Sequence, residues 1–255
     1  MSSAFFFVVL FGFGAMSSFA GSLTGLGGGF ILIPLLTIAA GLDIKDAIFF
    51  SLSCILWLSI LRMHQNRETI RKHRSLVGRF VLFSLLGAGV AAFIGSQISS
   101  EILTKIFAGI MIILSLYLFW DQRNGSEETE SPPPHKNLMA EGIFFCSGFL
   151  GGLLGIGGGI INVPVLHKLF KYPMSQATQL SFPFTFVASL TGLSVYLYER
   201  KEAVLSQSPL TLLALLMGTF AGSQLASKTK FSSSHLKLIF ASLMGIIGIV
   251  ELLVP

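Results

Sequence analysis

Apolar residues in this chain come in blocks that are hydrophobic on every side, rather than in stripes along one helical face. Ten blocks can be read: 3–23, 28–41, 46–62, 76–97, 102–120, 138–154, 158–170, 176–198, 207–227 and 234–254. Such blocks predict helices surrounded by lipid or by other helices. About 20 residues are needed to cross a hydrocarbon core of roughly 30 Å. The blocks 28–41 and 158–170 are too short. At about 1.5 Å per residue, each fits half of a broken helix or the returning arm of a hairpin. Between the fifth and sixth blocks, Asp121–Asn137 (DQRNGSEETESPPPHKN) is polar, acidic and proline-rich. It predicts an unpacked linker. The expected organisation is a first membrane repeat at 1–120, the linker at 121–137 and a second membrane repeat at 138–255.

The two halves are related. Residues 17–59 lie over 147–189 without a gap, with 14 identities in 43 positions. Gly21, Gly25, Gly27, Gly28, Gly29 and Pro34 fall on Gly151, Gly155, Gly157, Gly158, Gly159 and Pro164. Ser17, Ser51 and Ser59 fall on Ser147, Ser181 and Ser189. Further on, Gly95-Ser96-Gln97 corresponds to Gly222-Ser223-Gln224, and Ile106-Phe107-Ala108 to Ile239-Phe240-Ala241. A glycine cluster duplicated inside apolar segments marks a transporter built from two halves.

Composition sharpens this picture. Of the 255 residues 53% are hydrophobic and 11% charged, with a mean hydropathy of +0.78. Soluble domains carry about 25% charged residues, so lipid is the expected solvent. The net charge of +5 does not point to nucleic acid, because the basic residues cluster in short loops. Loop 62–79, with Arg62, Arg67, Arg71, Lys72, Arg74 and Arg79, is assigned to the cytoplasm by the positive-inside bias. If each glycine segment goes in and comes back, 13 Lys and Arg lie inside, and only Lys45, Lys105, Arg200 and Lys201 lie outside. If each is one broken crossing, the split is ten to seven. The first arrangement fits better. It gives an all-α integral membrane protein of two five-segment inverted repeats, with a broken or re-entrant helix pair at each glycine motif. Eight crossings, four per half, is the alternative. No basic region precedes the apolar run at Met1–Phe5, so no cleavable leader is expected. Cys54 and Cys146 read as small core residues rather than a disulfide or metal pair.

Gly25-Leu26-Gly27-Gly28-Gly29 and Gly155-Ile156-Gly157-Gly158-Gly159 predict helix breaks, since each interior glycine costs about 1 kcal/mol against alanine. Broken backbone at membrane depth is tolerated only inside protein or beside water. A helix is expected to start after each break, near Phe30 and Ile160, with free amides and a positive dipole end aimed into it. Two such ends facing each other would hold an anion. Thr24, Ser51, Asn162, Gln179 and Ser181 are candidates to complete a binding site with the glycines, and Pro34 and Pro164 to shape the half-helices. Ser22, Ser53, Thr178 and Thr185 are further polar candidates. Hydroxyl and amide donors suit an oxyanion of sulfur or a carboxylate. The same glycines also form small-x3-small patterns, so helix packing alone explains them too. No Gly-Lys-Ser/Thr follows, and a dinucleotide G-x-G-x-x-G would need glycine where Phe30 and Ile160 stand. His64, His73, His135, His167 and His235 show no metal-ligand spacing, and no nucleophile and base can be placed together. No enzyme, metal or cofactor is expected. No carboxylate or histidine stands out as a proton relay, Glu251 being placed merely near the end of the last block.

At these glycines the chain resembles the TauE/SafE family, also called the sulfite-exporter or anion permease family. The motif reads GSLTGLGGGFILIPLL then Ala47 to Ser51, and GGLLGIGGGIINVPVL then Ala177 to Ser181. The resemblance spans essentially the whole chain. It implies an integral protein of the bacterial inner membrane that moves small anions such as sulfite or organosulfonates. It also implies that Gly25, Gly27, Gly28, Gly29 and Pro34, with their second-half partners, form the motif. The halves depart from symmetry at Asp46 against Gln176 and Ser53 against Pro183. Three functions follow: a secondary anion transporter working by alternating access around a midplane site, a passive anion channel, or a non-transporting membrane subunit whose glycines only pack helices. Substrate, transport direction and oligomeric state are not legible.

Overall fold

The computed structural model of the chain describes residues 3–123, 138–199, 209–229 and 233–253. All regular elements among these residues are helical. Helix α1 (Ser3–Thr24) ends at the first glycine cluster. Helix α2 (Gly29–Pro34) follows the break and runs on as a π-helical turn, Leu35–Ala39. Then come α3 (Ile44–Gln65), α4 (Arg67–Lys72), α5 (Arg74–Gln97) and α6 (Ser100–Arg123). The second half repeats the pattern. Helix α7 (Leu138–Leu154) leads to the second break, and α8 (Gly159–Pro164) runs on as a π turn, Val165–Leu169. Helices α9 (Met174–Glu199), α10 (Pro209–Lys228) and α11 (Ser233–Leu253) complete it. Of the expected linker 121–137, residues 121–123 belong to α6 and residues 124–137, His135 among them, lie outside the described part, as does the side chain of His235.

Among the described residues, six helices are long and apolar enough to cross a bilayer: α1, α3, α5, α6, α9 and α10. Leu82 and Phe93 on α5, Ile113 and Leu116 on α6, Leu225 on α10 and Ile246 on α11 are exposed. Large apolar side chains standing outward on helix after helix have only lipid tails to cover them. The chain is an integral membrane protein.

Helices α3 and α9 are the most buried of the six and form the centre. They run antiparallel: Ile55 and Thr185 meet beside the glycine breaks, while Leu52 lies against Gly192. Helices α6 and α11 are also antiparallel, with Ser115 bonding the Ala241 carbonyl at 2.7 Å and Gly248 resting on Ala108. Two closer pairs run parallel. Gly14, Gly218 and Gly222 let α1 and α10 touch along their backbones, and Gly87, Gly148 and Gly152 do the same for α5 and α7. Helices α1 and α7 occupy matching places in the two halves, as do α5 and α10. Each half therefore lends its first helix to the other. The small-x3-small spacing supplies this contact, as it does between membrane helices generally.

Two details depart from the sequence reading. The basic stretch 62–79 carries helix α4, and Arg62 is not in a loop but in the last turn of α3. It is buried, with Nη2 donating to the Ser223 carbonyl at 3.0 Å and Nη1 to Gln65 Oε1 at 3.0 Å. These two acceptors are what the buried guanidinium has in place of water. Cys54 is buried as expected, but Cys146 is exposed on α7, because it points away from the face where Gly148 and Gly152 meet α5.

The close helix pairs make a direct prediction. A Cβ at Gly148 would sit 2.0 Å from the Ser84 carbonyl oxygen, whereas one at Gly142 on the same helix meets nothing within 4 Å. Gly148→Val should abolish recovery of monodisperse protein in detergent. Gly142→Ala should leave it unchanged or raise stability by up to about 1 kcal/mol. Equal behaviour of the two variants in size-exclusion and thermal-unfolding measurements would refute this packing.

Candidate functional site

The two chain breaks meet. Each begins where a helix gives out. At the first, Thr24 turns its hydroxyl back to the Ala20 carbonyl at 2.8 Å and accepts the Leu26 N–H at 3.3 Å. Gly25, Gly27 and Gly28 then take φ of 73°, 86° and 83°, and Gly155, Gly157 and Gly158 take 68°, 74° and 71°. Side chains rarely adopt this left-handed region. Gly29 and Gly159 are required for a different reason: proximity. A Cβ on Gly29 would lie 2.4 Å from the Gly155 carbonyl oxygen, and one on Gly159 would lie 2.3 Å from that of Gly25. The half-helices start at Gly29 and Gly159, one residue earlier than the sequence suggested, with Gly28 and Gly158 as their N-caps.

Four serines hold the breaks. Within each half, Ser17 donates to the Gly28 carbonyl at 2.9 Å and Ser147 to the Gly158 carbonyl at 2.8 Å. Across the halves, Ser51 on α3 donates to the Gly155 carbonyl at 2.7 Å and Ser181 on α9 to the Gly25 carbonyl at 2.9 Å. The Gly28 and Gly158 carbonyls also accept the first amides of their half-helices, from Ile31 and Leu32 and from Ile161 and Asn162. The Gly25 and Gly155 carbonyls depend on the crossing serines, and each would cost about 1–3 kcal/mol if left without a donor in the interior. Ser51 and Ser181 were legible as candidates. Ser17 and Ser147 were not singled out, although their match across the repeat was the available signal.

The site is polar without charge and closed. Residues 25–29 and 155–159 are all buried, and the side chains against them are Ser, Thr, Ile and Val. Asn162 on α8 breaks the symmetry, since Leu32 holds its place on α2. It is 1% exposed. Ser147 has one hydroxyl proton for two acceptors, the Gly158 carbonyl at 2.8 Å and Asn162 Oδ1 at 2.6 Å. Whichever takes it, one polar atom of the Asn162 amide stays unanswered; as placed, it is Nδ2. Buried polar atoms without partners are uncommon and point to a water or a ligand.

Other candidates sit further out. Gln179 is half-buried on α9, and Ser181 rather than Gln179 ties that helix to the break. Ser53 bonds its own helix at Phe49, and Thr185 bonds Ser181 while its methyl packs on Gly157. Pro34 and Pro164 each end a half-helix and precede its π turn. At the end of the second half-helix, His167 Nδ1 pairs with the Tyr172 carbonyl at 2.9 Å, and burial pushes the half-buried Tyr172 phenol up. Among the described residues, no three His, Cys, Asp or Glu side chains come close enough to hold a metal. Glu251, which the sequence placed only by its position near the chain end, is buried.

Comparison with known proteins points to membrane transporters. The model of the sulfite exporter TauE/SafE family matches residues 10–250. A probable membrane transporter protein of Methanocaldococcus jannaschii is 29% identical over 253 residues, covering 91% of this chain and 90% of its own length. A probable membrane transporter protein of Bacillus subtilis, YunE, is 27% identical over 274 residues, covering 95% and 96%. Sulfite exporter TauE/SafE family protein 6 of Arabidopsis thaliana is 32% identical over 97 residues, covering 37% of this chain and 23% of its own. No solved structure matches the chain significantly.

The crossed serine bonds predict asymmetric costs. Ser51→Ala and Ser181→Ala should each lower unfolding stability by about 1–3 kcal/mol, because each strands a buried carbonyl. Ser53→Ala removes only a local helical bond at a half-buried position and should cost under about 0.5 kcal/mol. Denaturation in detergent decides; a Ser53 variant as damaging as the other two would contradict the assignment.

Proposed function

The chain belongs to the sulfite exporter TauE/SafE family, and on that premise we propose that it is a secondary transporter of a small anion, working by alternating access around the paired glycine breaks. The family establishes a membrane transporter. The observation that carries the finer reading is the direct contact of the two breaks in the interior, each opening an apolar half-helix, Gly29–Ala39 in the first half. The positive ends of both half-helices converge on one uncharged region. Backbone amides there could bind an anion without a buried arginine, and the unanswered Asn162 amide would add a donor on one side. Sulfite or an organosulfonate fits such donors: compact, with several acceptor oxygens in fixed geometry.

Alternating access rather than an open channel is supported by the burial of every residue in both breaks. A guest reaches them only if the surrounding helices move. The moving bodies follow from the exchange of first helices: α1 travels with α10, and α7 with α5. Inversion of the halves is supported by the antiparallel α3–α9 and α6–α11 pairs, which a four-plus-four arrangement would make parallel. It also explains why the turn before α3, the start of α6 and the end of α11 share one end of the molecule.

Two measurements test this. Asn162→Leu, which copies the first half, should keep the fold. It should weaken anion binding about 10–100-fold, the loss expected for one hydrogen bond to a charged ligand. Thermal-shift titration of the purified protein with sulfite, sulfonates and small carboxylates reads the effect, and unaltered binding would remove Asn162 from the site. For topology, single cysteines at Thr69, Ser99 and Leu253 in a cysteine-free background should label from opposite faces: Ser99 and Leu253 together, Thr69 apart. Leu253 labelling with Thr69 would restore the eight-crossing alternative.

A further inference from the structure

Glu251 stands in the last described turn of α11, 6% exposed. Its Oε1 is 2.5 Å from Thr37 Oγ1. Among the described residues no lysine, arginine or histidine pairs with it. Buried carboxylates in membrane proteins are costly and mark functional positions. Thr37 belongs to the π turn that continues the first half-helix, and π turns often sit at functional places.

The hydroxyl of Thr37 has one proton and three acceptors within reach: Glu251 Oε1, the Ile33 carbonyl at 3.1 Å and the Pro34 carbonyl at 3.4 Å. With Glu251 ionised, that proton goes to the carboxylate. With Glu251 protonated, the carboxyl O–H can donate to Thr37 Oγ1, and the threonine proton turns to Ile33. Proton uptake thus reverses the bond between the half-helix and α11 and adds one inside the half-helix itself. A route for the proton exists. Glu251 and Thr37 line a cavity of about 710 Å³ with Asp43, Ser100, Glu101 and Lys105, and the last two are exposed. The neighbouring charges are accounted for. Lys105 pairs with Glu101, and Asp43 caps α3 by accepting the Lys45 N–H at 2.9 Å. Helices α1 and α2 carry no titratable side chain, and Tyr117, Asp121 and Arg123 of α6 stand toward that helix's other end. On α11 itself, His235 and Lys237 lie about 20 Å away along the axis.

We propose that Glu251 is a proton site that couples proton uptake to anion movement, making the protein a proton–anion symporter. This rests on the transporter reading above. Glu251 in its ionised form opposes a second negative charge on the adjoining half-helix. One proton, taken from water in the cavity, neutralises the carboxylate and remakes the Thr37 bond as the anion binds. The charge moved with a monovalent anion is then zero.

The test uses the full-length protein in proteoliposomes with the membrane potential clamped at zero. Methanesulfonate serves as one probe because its charge does not titrate, and sulfite as the other. An inward gradient of one pH unit should drive about tenfold accumulation by the wild type, the ratio that one proton per anion sets. Glu251→Gln should lose accumulation yet still exchange internal for external anion. Accumulation by Glu251→Gln equal to wild type would overturn the proposal, as would wild-type exchange without accumulation. If wild type moves neither anion, the transport reading fails instead. The proton site is then judged from hydrogen exchange of residues 35–39. After correction for intrinsic rates, that turn should slow about threefold or more as pH falls in wild type and stay flat in Glu251→Gln. No difference between them sinks the site. Should Glu251→Gln not fold, Thr37→Val must abolish both responses and Thr37→Ser restore them.

Discussion

A backbone amide or carbonyl inside a membrane protein has no bulk water to fall back on, and this structure breaks its backbone twice at its core. Everything near the centre answers that constraint. Four serine hydroxyls take up carbonyls of the two breaks, two from the helix that precedes each break and two from the opposite half. The glycines do not merely permit bending. Three in each cluster hold left-handed backbone, and Gly29 and Gly159 allow the clusters to press together. The half-helices can exist only because their neighbours satisfy what the break releases.

The outer helices follow from the same need to fix the breaks. Parallel contacts of α1 with α10 and of α5 with α7 join the halves through backbones packed closely over glycine. Helices α3 and α9, which carry the crossing serines, run antiparallel through the middle. A motion that separates the breaks must therefore loosen Ser51 from Gly155 and Ser181 from Gly25. Both bonds are neutral, each worth about 1 kcal/mol net, and the Ser181 hydroxyl has the Thr178 carbonyl as a second acceptor at 2.8 Å.

Symmetry is kept where the backbone needs it and lost where chemistry differs. The serine pairs and the glycines match residue for residue. Leu32 against Asn162 and Thr37 against His167 do not. One half-helix thus carries an unanswered amide near its start, and the other a carboxylate-bonded hydroxyl near its end. The two halves share a scaffold and divide the polar work between them.

Much of this was written in the chain. All-round apolar blocks dictate membrane helices, because nothing but lipid can cover them. Consecutive glycines dictate breaks, because no other residue enters the left-handed region so cheaply. The 130-residue shift identified Ser51 and Ser181 as well as the glycines, and the distribution of arginine and lysine favoured paired, returning segments. What the chain could not disclose depends on distance in space. Gln179 and Ser181 lie two positions apart on one helix, and only packing decides that Ser181 meets Gly25. Ser17 looked like any membrane serine until its carbonyl partner was in place. Glu251 read as a residue near the chain end, since burial against a turn 214 positions away is set by how α11 docks and by no local pattern.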